Sequence, residues 1–176
     1  MLRLLLLRHA EAAPAAGASD IDRRLTPGGR AGAARFGAYM RATGLAPDLT
    51  LVSPAQRALE TLGEIEQALS RPLPSVKAAA LYNAKRTTIT ALIAETPAAV
   101  GVLLVIGHNP GLAETAVVLA RRGDCADLAK VRGQFPAPCL AIIDFDDGDW
   151  RTASCGEGRL VRFITLATLQ KSKGYA

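Results

Sequence analysis

Apolar residues along this chain fall into short unbroken runs that stop abruptly, separated by longer stretches in which apolar positions recur at helical spacing. Leu4-Leu5-Leu6-Leu7 and Val102-Leu103-Leu104-Val105-Ile106 are the clearest runs. Such a run without alternation is how a parallel strand covered on both faces reads. The pattern predicts strands at Arg3–Arg8, Leu49–Val52, Val76–Tyr82 and Val100–Ile106, with Leu140–Phe145 and Trp150–Ser154 forming a hairpin around Asp147-Gly148 and a last strand near Leu160–Ile164. Helices fall between them. Thr26-Pro27, an N-cap followed by Pro at N1, opens one that runs through Arg41, carries Ala34, Phe36, Tyr39 and Met40, and ends at Gly44. Ser53 caps a second from Pro54 to about Leu69, with Pro72 and Pro74 beyond it. Arg86–Glu95 and Pro110–Arg121 complete the set, with Arg121-Arg122 read as favourable charges at a helix C-terminus. The alternation implies a three-layer α/β/α sandwich around a mostly parallel sheet with an antiparallel edge.

The chain has 176 residues, 49% of them hydrophobic, which suits a single domain spanning 1–176 with a proper core. Leu4–Leu7 is too short for a signal-peptide h-region of about 7–15 residues, and no other run approaches the roughly 18 apolar residues of a membrane span, so a cytoplasmic protein without membrane association is expected. The three cysteines, Cys125, Cys139 and Cys155, lie far apart, with no C-x-x-C and no neighbouring histidine, and indicate neither a disulfide framework nor a zinc site. A net charge of +5 favours anionic ligands by long-range attraction, but the basic residues are scattered and aromatics make up only 5%, so a nucleic-acid face has no support. G-x-G-x-x-G and P-loop patterns are missing, and Gly28, Gly29 and Gly101 read as a helix start and a turn.

The chemistry sits where the two clearest runs end. Only two histidines occur, His9 in Arg8-His9-Ala10-Glu11 and His108 in Gly107-His108-Asn109-Pro110-Gly111. Ligands of open α/β sheets bind beyond the carboxyl ends of strands, so the two rings can face each other. Arg8 adjoins His9, and Arg57 lies one turn into the helix after Ser53-Pro54. Two histidines with two arginines and few carboxylates make a cationic cluster, unsuited to a metal but suited to gripping phosphate oxygens bidentately. A neutral imidazole in that setting can accept a phosphoryl group. Each residue alone has an ordinary structural reading: a packed strand-end histidine, or Arg57 as a solvated helix residue paired with Glu60. Asn109 and Pro110 read as a turn that aims His108.

Taken together, the ordered motifs resemble the histidine phosphatases (phosphoglycerate mutase-like): Arg8-His9-Ala10 for the first, Ser53-Pro54-Ala55-Gln56-Arg57-Ala58-Leu59-Glu60-Thr61 for the second and Gly107-His108-Asn109-Pro110-Gly111 for the third. The Asp20…Arg24-Leu25-Thr26-Pro27-Gly28-Gly29-Arg30 segment points within that family to SixA-type phosphohistidine phosphatases. The resemblance implies that His9 attacks phosphorus and becomes phosphorylated, that Arg8, Arg57 and His108 bind the phosphoryl oxygens with His108 as a cation, and that water hydrolyses the phosphoenzyme with no cofactor or metal. It implies as substrate a phosphorylated protein such as a phosphotransfer domain, with small phosphorylated molecules as an alternative substrate and a catalytically weak phospho-ligand binding module as the non-enzymatic alternative. A mutase is disfavoured by the short chain. Two departures stand out. Ala10 replaces the usual Gly, at a cost on the order of 1 kcal/mol if the backbone there needs positive φ. Larger members use a glutamate as general acid where this chain reads Leu81-Tyr82-Asn83-Ala84; Glu11 and Asp20 remain candidate acids, and Asn83 is expected to cap the next helix or touch phosphate. Loss of an acid worth about 10²–10⁴-fold biases the enzyme toward phosphohistidine and other phosphoramidates.

Overall fold

The computed structural model describes all residues except Ala16, Ala18, Asp147 and 172–176. Its seven-stranded sheet contains β1 (Leu2–Arg8), β2 (Leu49–Val52), β3 (Ser75–Lys77), β4 (Val102–Gly107), β5 (Ala120–Gly123), β6 (Cys139–Phe145) and β7 (Gly158–Thr165) in the spatial order β3-β2-β4-β1-β6-β7-β5. The half from β3 to β1 is parallel, β6 runs antiparallel to both β1 and β7, and β5 returns parallel to β7. The α-helices are α1 (Pro27–Ala42), α2 (Gln56–Leu69), α3 (Arg86–Ala94), α4 (Gly111–Leu119), α5 (Cys125–Gly133), α6 (Trp150–Ala153) and α7 (Leu166–Lys171). The expected three-layer α/β/α sandwich is present.

The unbroken apolar runs are explained by what covers each face. Along β1, Leu4 and Leu6 join Leu103, Val105, Ala141 and Ile143 in a core closed by α3, α4, α5 and α6 through Ile89, Ile93, Leu112, Ala116, Val131 and Trp150. Leu5 and Leu7 join Leu104, Ile106, Leu140 and Ile142 on the other face, closed by Phe36 and Met40 of α1 and Leu62 and Ile65 of α2. Alternate residues point to opposite faces, and here both faces are dry, so no position can be polar. Thr26 caps α1 as expected, its Oγ1 accepting from the Gly29 amide at 2.9 Å.

Several expectations need correction. Val76–Tyr82 holds a strand only over Ser75–Lys77, followed by a 3₁₀ turn at Ala79–Leu81. The helix after His108 begins at Gly111 and stops at Leu119, so Pro110 is its N-cap, and Arg121-Arg122 lie in β5 rather than at a helix terminus. Trp150–Ser154 is no hairpin strand: Trp150–Ala153 forms the α6 turn, and β6 pairs instead with β7. Its proposed turn residue Asp147 lies outside the described residues. Helix α5 was not anticipated; it presents a single buried residue, Val131, and therefore no apolar stripe. Among the described residues no helix is long and apolar enough to cross a membrane.

Candidate active site

The carboxyl ends of β1, β4 and β2 set the site. β1 and β4 are adjacent and parallel with Arg8 opposite Gly107, and the His9 amide continues the ladder to the Gly107 carbonyl at 3.2 Å. His9 and His108 therefore leave neighbouring strands at the same level, with ring centroids 5.0 Å apart. The chain after β1 leads to α1 on one face and the chain after β4 to α4 on the other. Loops that diverge to opposite faces open a crevice at the strand ends. That crevice is a cleft of about 510 Å³ lined by Arg8, His9, Glu11, Asp20, Arg23, Arg57, Asn83, His108 and Asn109 among others. The candidate site residues named from sequence, Arg8, His9, Glu11, Asp20, Arg57, Asn83 and His108, all line it.

His9 is held as a neutral ring in a defined tautomer. Its Nδ1 lies 2.7 Å from the Ala10 carbonyl oxygen, which can only accept, so Nδ1 carries the proton. Nε2 then keeps its lone pair, toward which Arg57 Nε donates at 3.2 Å. Burial, assisted by the positive fields of Arg57, Arg8 and Arg23, pushes the His9 pKa down to about 4. The Ala10 amide donates to Thr61 Oγ1 at 3.0 Å, and that hydroxyl donates to the Arg57 carbonyl at 2.6 Å, so the strand end and the first turn of α2 are tied together. Ala10 is not among the residues with positive φ, and replacing the usual Gly carries no backbone strain here.

Burial, with His9 and the nearby guanidiniums, lowers the His108 pKa to about 3, which favours the neutral ring until an anion faces it. Ser53 Oγ lies 2.7 Å from its Nε2, while Nδ1 is buried with no partner. Ser53 was read as the N-cap; that position is Ala55, which has no side-chain cap, and the Ser53 hydroxyl both accepts from the Ala55 amide at 3.3 Å and meets His108.

Three arginines line the cleft. Arg8 Nη1 donates to the Phe135 carbonyl at 2.6 Å and its Nε is buried unpaired; burial lowers its pKa. Arg57 is nearly buried and does not pair with Glu60. Its Nη1 donates to the Asp20 carbonyl and its Nη2 to Asp20 Oδ2 at 3.0 Å. Glu60 instead accepts from Arg24 Nε and from the Leu25 amide, holding the base of the loop that follows β1. Arg23, overlooked in the sequence, donates from Nη1 to Asp20 Oδ1 at 3.0 Å and from Nε to the Ala13 carbonyl. Tyr82, also overlooked, donates its hydroxyl to Asp20 Oδ2 at 2.8 Å and sets its ring edge-on to His108.

The two carboxylates considered as acids are engaged as acceptors. Hydrogen bonds from Tyr82, Arg23 and Arg57 hold the Asp20 carboxyl well below the usual carboxylate range, so it has no proton to give in this arrangement. Glu11 Oε2 accepts from the Thr26 hydroxyl at 3.1 Å. Asn83 does not cap α3, whose N-cap is Lys85; it takes a left-handed backbone (φ 50°) and lines the cleft. Asn109 Nδ2 donates to the same Phe135 carbonyl as Arg8, which buttresses the turn that carries His108. Among the described residues no group of three or more His, Cys, Asp or Glu is placed to hold a metal ion.

Comparison with known proteins agrees with this geometry. The sequence profile of the histidine phosphatase superfamily (branch 1) matches residues 4–83. A Mycobacterium tuberculosis protein of uncharacterised function is 33% identical over 159 residues, covering 89% of this chain and 98% of its own length. The structure is similar to that of a protein from Nakamurella multipartitia designated phosphohistidine phosphatase SixA, at 26% identity and TM-score 0.82, covering 93% of this chain and 95% of that one. It is similar also to the Agrobacterium tumefaciens protein so designated, at 29% identity and TM-score 0.76, covering 93% and 97%. The chain is thus a phosphatase-type hydrolase. It belongs to the histidine phosphatase superfamily, and within it resembles the SixA type.

Proposed function

We propose that this chain is a metal-independent phosphohistidine phosphatase that works through a covalent phosphohistidine on His9. The observation that carries the reading is the His9 ring itself. Nδ1–H is tied to the Ala10 carbonyl and Nε2 keeps its lone pair at a cleft lined by Arg8, Arg23 and Arg57, where it accepts from Arg57 Nε until phosphorus takes that place. In the first step that lone pair forms an N–P bond while the substrate's own bond to phosphorus breaks; the electron pair leaves on the substrate nitrogen, which takes a proton from solvent. The arginines hold the equatorial oxygens as charge spreads over them. In the second step a water oxygen attacks phosphorus and the bonding pair returns to His9 Nε2, releasing hydrogen phosphate, which keeps one water proton while the other passes to solvent.

The dianion also determines the state of His108. The negative charge raises the pKa of the His108 ring toward its cation, so two identical side chains carry different charges during turnover. The substrate is a phosphorylated protein of the phosphotransfer type, the chain acts as one cytoplasmic domain over 1–176, and the net positive charge favours an acidic partner surface.

The test is phosphate release from a ³²P-phosphohistidine protein by the purified chain in EDTA, alongside His9→Ala. Release that survives chelation and disappears in the variant is expected, with label trapped on His9 after rapid acid-free quenching. A wild-type chain inert toward phosphohistidine proteins and small phosphoesters alike would leave a phospho-ligand binding module instead.

A further inference from the structure

We propose that Asp20 is an internal anion that sits in the phosphoryl clamp and must be displaced by the substrate's phosphoryl group. The inference rests on the reading of the cleft as a phosphoryl site and adds to it what occupies that site beforehand.

All three kinds of nitrogen on Arg57 are engaged. Nε donates to His9 Nε2, Nη1 to the Asp20 backbone carbonyl and Nη2 to the Asp20 carboxylate. The second carboxylate oxygen takes Arg23 Nη1, and Tyr82 adds its hydroxyl. One carboxylate thus sits across two cleft arginines where a phosphoryl group has to be gripped, and three of the five N–H donors of Arg57 are taken, two of them by Asp20.

Which partner yields is decided by burial. The Arg57 side chain is 5% exposed and the Asp20 side chain 46%. The 3₁₀ turn Asp20–Asp22 buries none of its residues, whereas the base of the same loop is pinned where Ala13 bonds Arg24, Thr26 bonds Glu11, and Glu60 holds Leu25. Moving Asp20 outward costs little packing; moving Arg57 would unseat the start of α2. Exchange of one anion for another keeps the guanidiniums compensated throughout, so they are never left as bare buried charges. It also imposes a threshold. A monocarboxylate offers no more than Asp20 already gives, whereas a tetrahedral dianion offers additional oxygens and charge to Arg57, Arg23 and Arg8. The device therefore selects phosphoryl dianions over carboxylates and weakens product phosphate.

The experiment is calorimetric titration of inorganic phosphate into the wild-type chain, Asp20→Ala, Tyr82→Phe and Arg57→Ala at neutral pH. Asp20→Ala is expected to bind phosphate about ten-fold more tightly, since it removes a competing charge from a partly exposed pair. Tyr82→Phe, which loosens the carboxylate without changing charge, is expected to tighten phosphate about two- to three-fold, a gain that loss of a merely structural contact would not give. Acetate should remain a poor competitor in the wild type and improve in Asp20→Ala. Unchanged or weaker phosphate binding in Asp20→Ala, with binding still lost in Arg57→Ala, overturns the proposal while the phosphoryl-site reading stands. Phosphate binding that is indifferent to Arg57 in every variant overturns both.

Discussion

Ser53 Oγ and His108 Nε2 lie 2.7 Å apart, and both residues are buried. The contact joins the end of β2 to the end of β4, and it is the one hydrogen bond that orients the second histidine ring, whose Nδ1 has no partner. Ser53→Ala removes it and leaves a buried ring with both nitrogens unpaired. The variant should lose about 1–3 kcal/mol of stability, the usual cost of a buried polar group left unsatisfied. It should also lose about ten-fold in kcat, equivalent to roughly 1.4 kcal/mol in the barrier. Urea unfolding and steady-state turnover measure the two. Full activity in Ser53→Ala would mean that the backbone of the Gly107–Gly111 turn alone positions His108.

The histidines should make the fold acid-sensitive well above the carboxylate range. Both are neutral in the folded state, at about 4 for His9 and about 3 for His108, because burial disfavours the cation. The unfolded chain takes up those protons near 6.5. Between 6.5 and 4 the unfolded state binds more protons, so stability falls as pH falls through that window and is fully restored above it. The urea midpoint should drop from pH 7 to pH 5, and less steeply in His108→Asn. Saturating phosphate should flatten the dependence, since a bound dianion favours the protonated ring. A midpoint that is flat from pH 7 to pH 5 in the free protein would show that neither ring is held neutral.

Leaving-group chemistry gives a sharper discrimination. The stretch Leu81–Ala84 brings no carboxylate to the cleft, Asp20 is ionised by Tyr82 and two arginines, and Glu11 is engaged with Thr26. An alkoxide leaving from an ordinary phosphate ester needs a proton that none of these groups is poised to give. An imidazole leaving from a P–N bond needs it less. The specificity constant for a phosphohistidine peptide should therefore exceed that for a sugar phosphate by on the order of 10²–10⁴, the usual worth of general acid catalysis. Competition assays with both substrates in one mixture give the ratio directly, and parity would place an acid in the cleft after all.

What the sequence made legible, and what it hid, follows from the range of the interactions involved. β1 and β4 are readable because their two buried faces force unbroken apolar runs, and the residues that follow them, His9 and His108, are placed by that pairing alone. Arg57 is readable only through its neighbours in the Ser53–Thr61 motif. Arg23 and Tyr82 were not visible, because they enter the cleft through Asp20 and the loop around it, contacts that no local pattern encodes. The partner of Ser53 was hidden because a serine ahead of a helix gives the same local signal whether or not its hydroxyl, besides bonding the Ala55 amide, also meets a histidine on another strand. At the far end of the chain α5 offered no apolar stripe, and Trp150 was taken for a strand residue when its bulk fills the core below α3 and its Nε1 donates to the Val100 carbonyl.

Gly28 and Gly29 show how far local reading reaches. From sequence both are flexible residues at a helix start, and nothing distinguishes them. In the fold Gly28 is exposed, and a Cβ there would meet only the Glu11 side-chain oxygen at 3.4 Å and the Thr26 hydroxyl at 3.7 Å. Gly29 is buried, and a Cβ there would run into the Glu11 carbonyl oxygen, the same atom that accepts from the Thr26 amide at 3.1 Å. Glu11 stands two residues after His9, so a shift there moves the loop that leaves the catalytic strand end. Gly28→Ala should be neutral or stabilise by up to about 1 kcal/mol through helix propensity. Gly29→Ala should destabilise by about 1–3 kcal/mol, the range for overpacking a filled site, and should lower kcat with it. Chemical denaturation of the pair decides the matter. Equal costs at the two positions would mean that the loop yields freely, and that the start of α1 does not set the position of the strand end carrying His9.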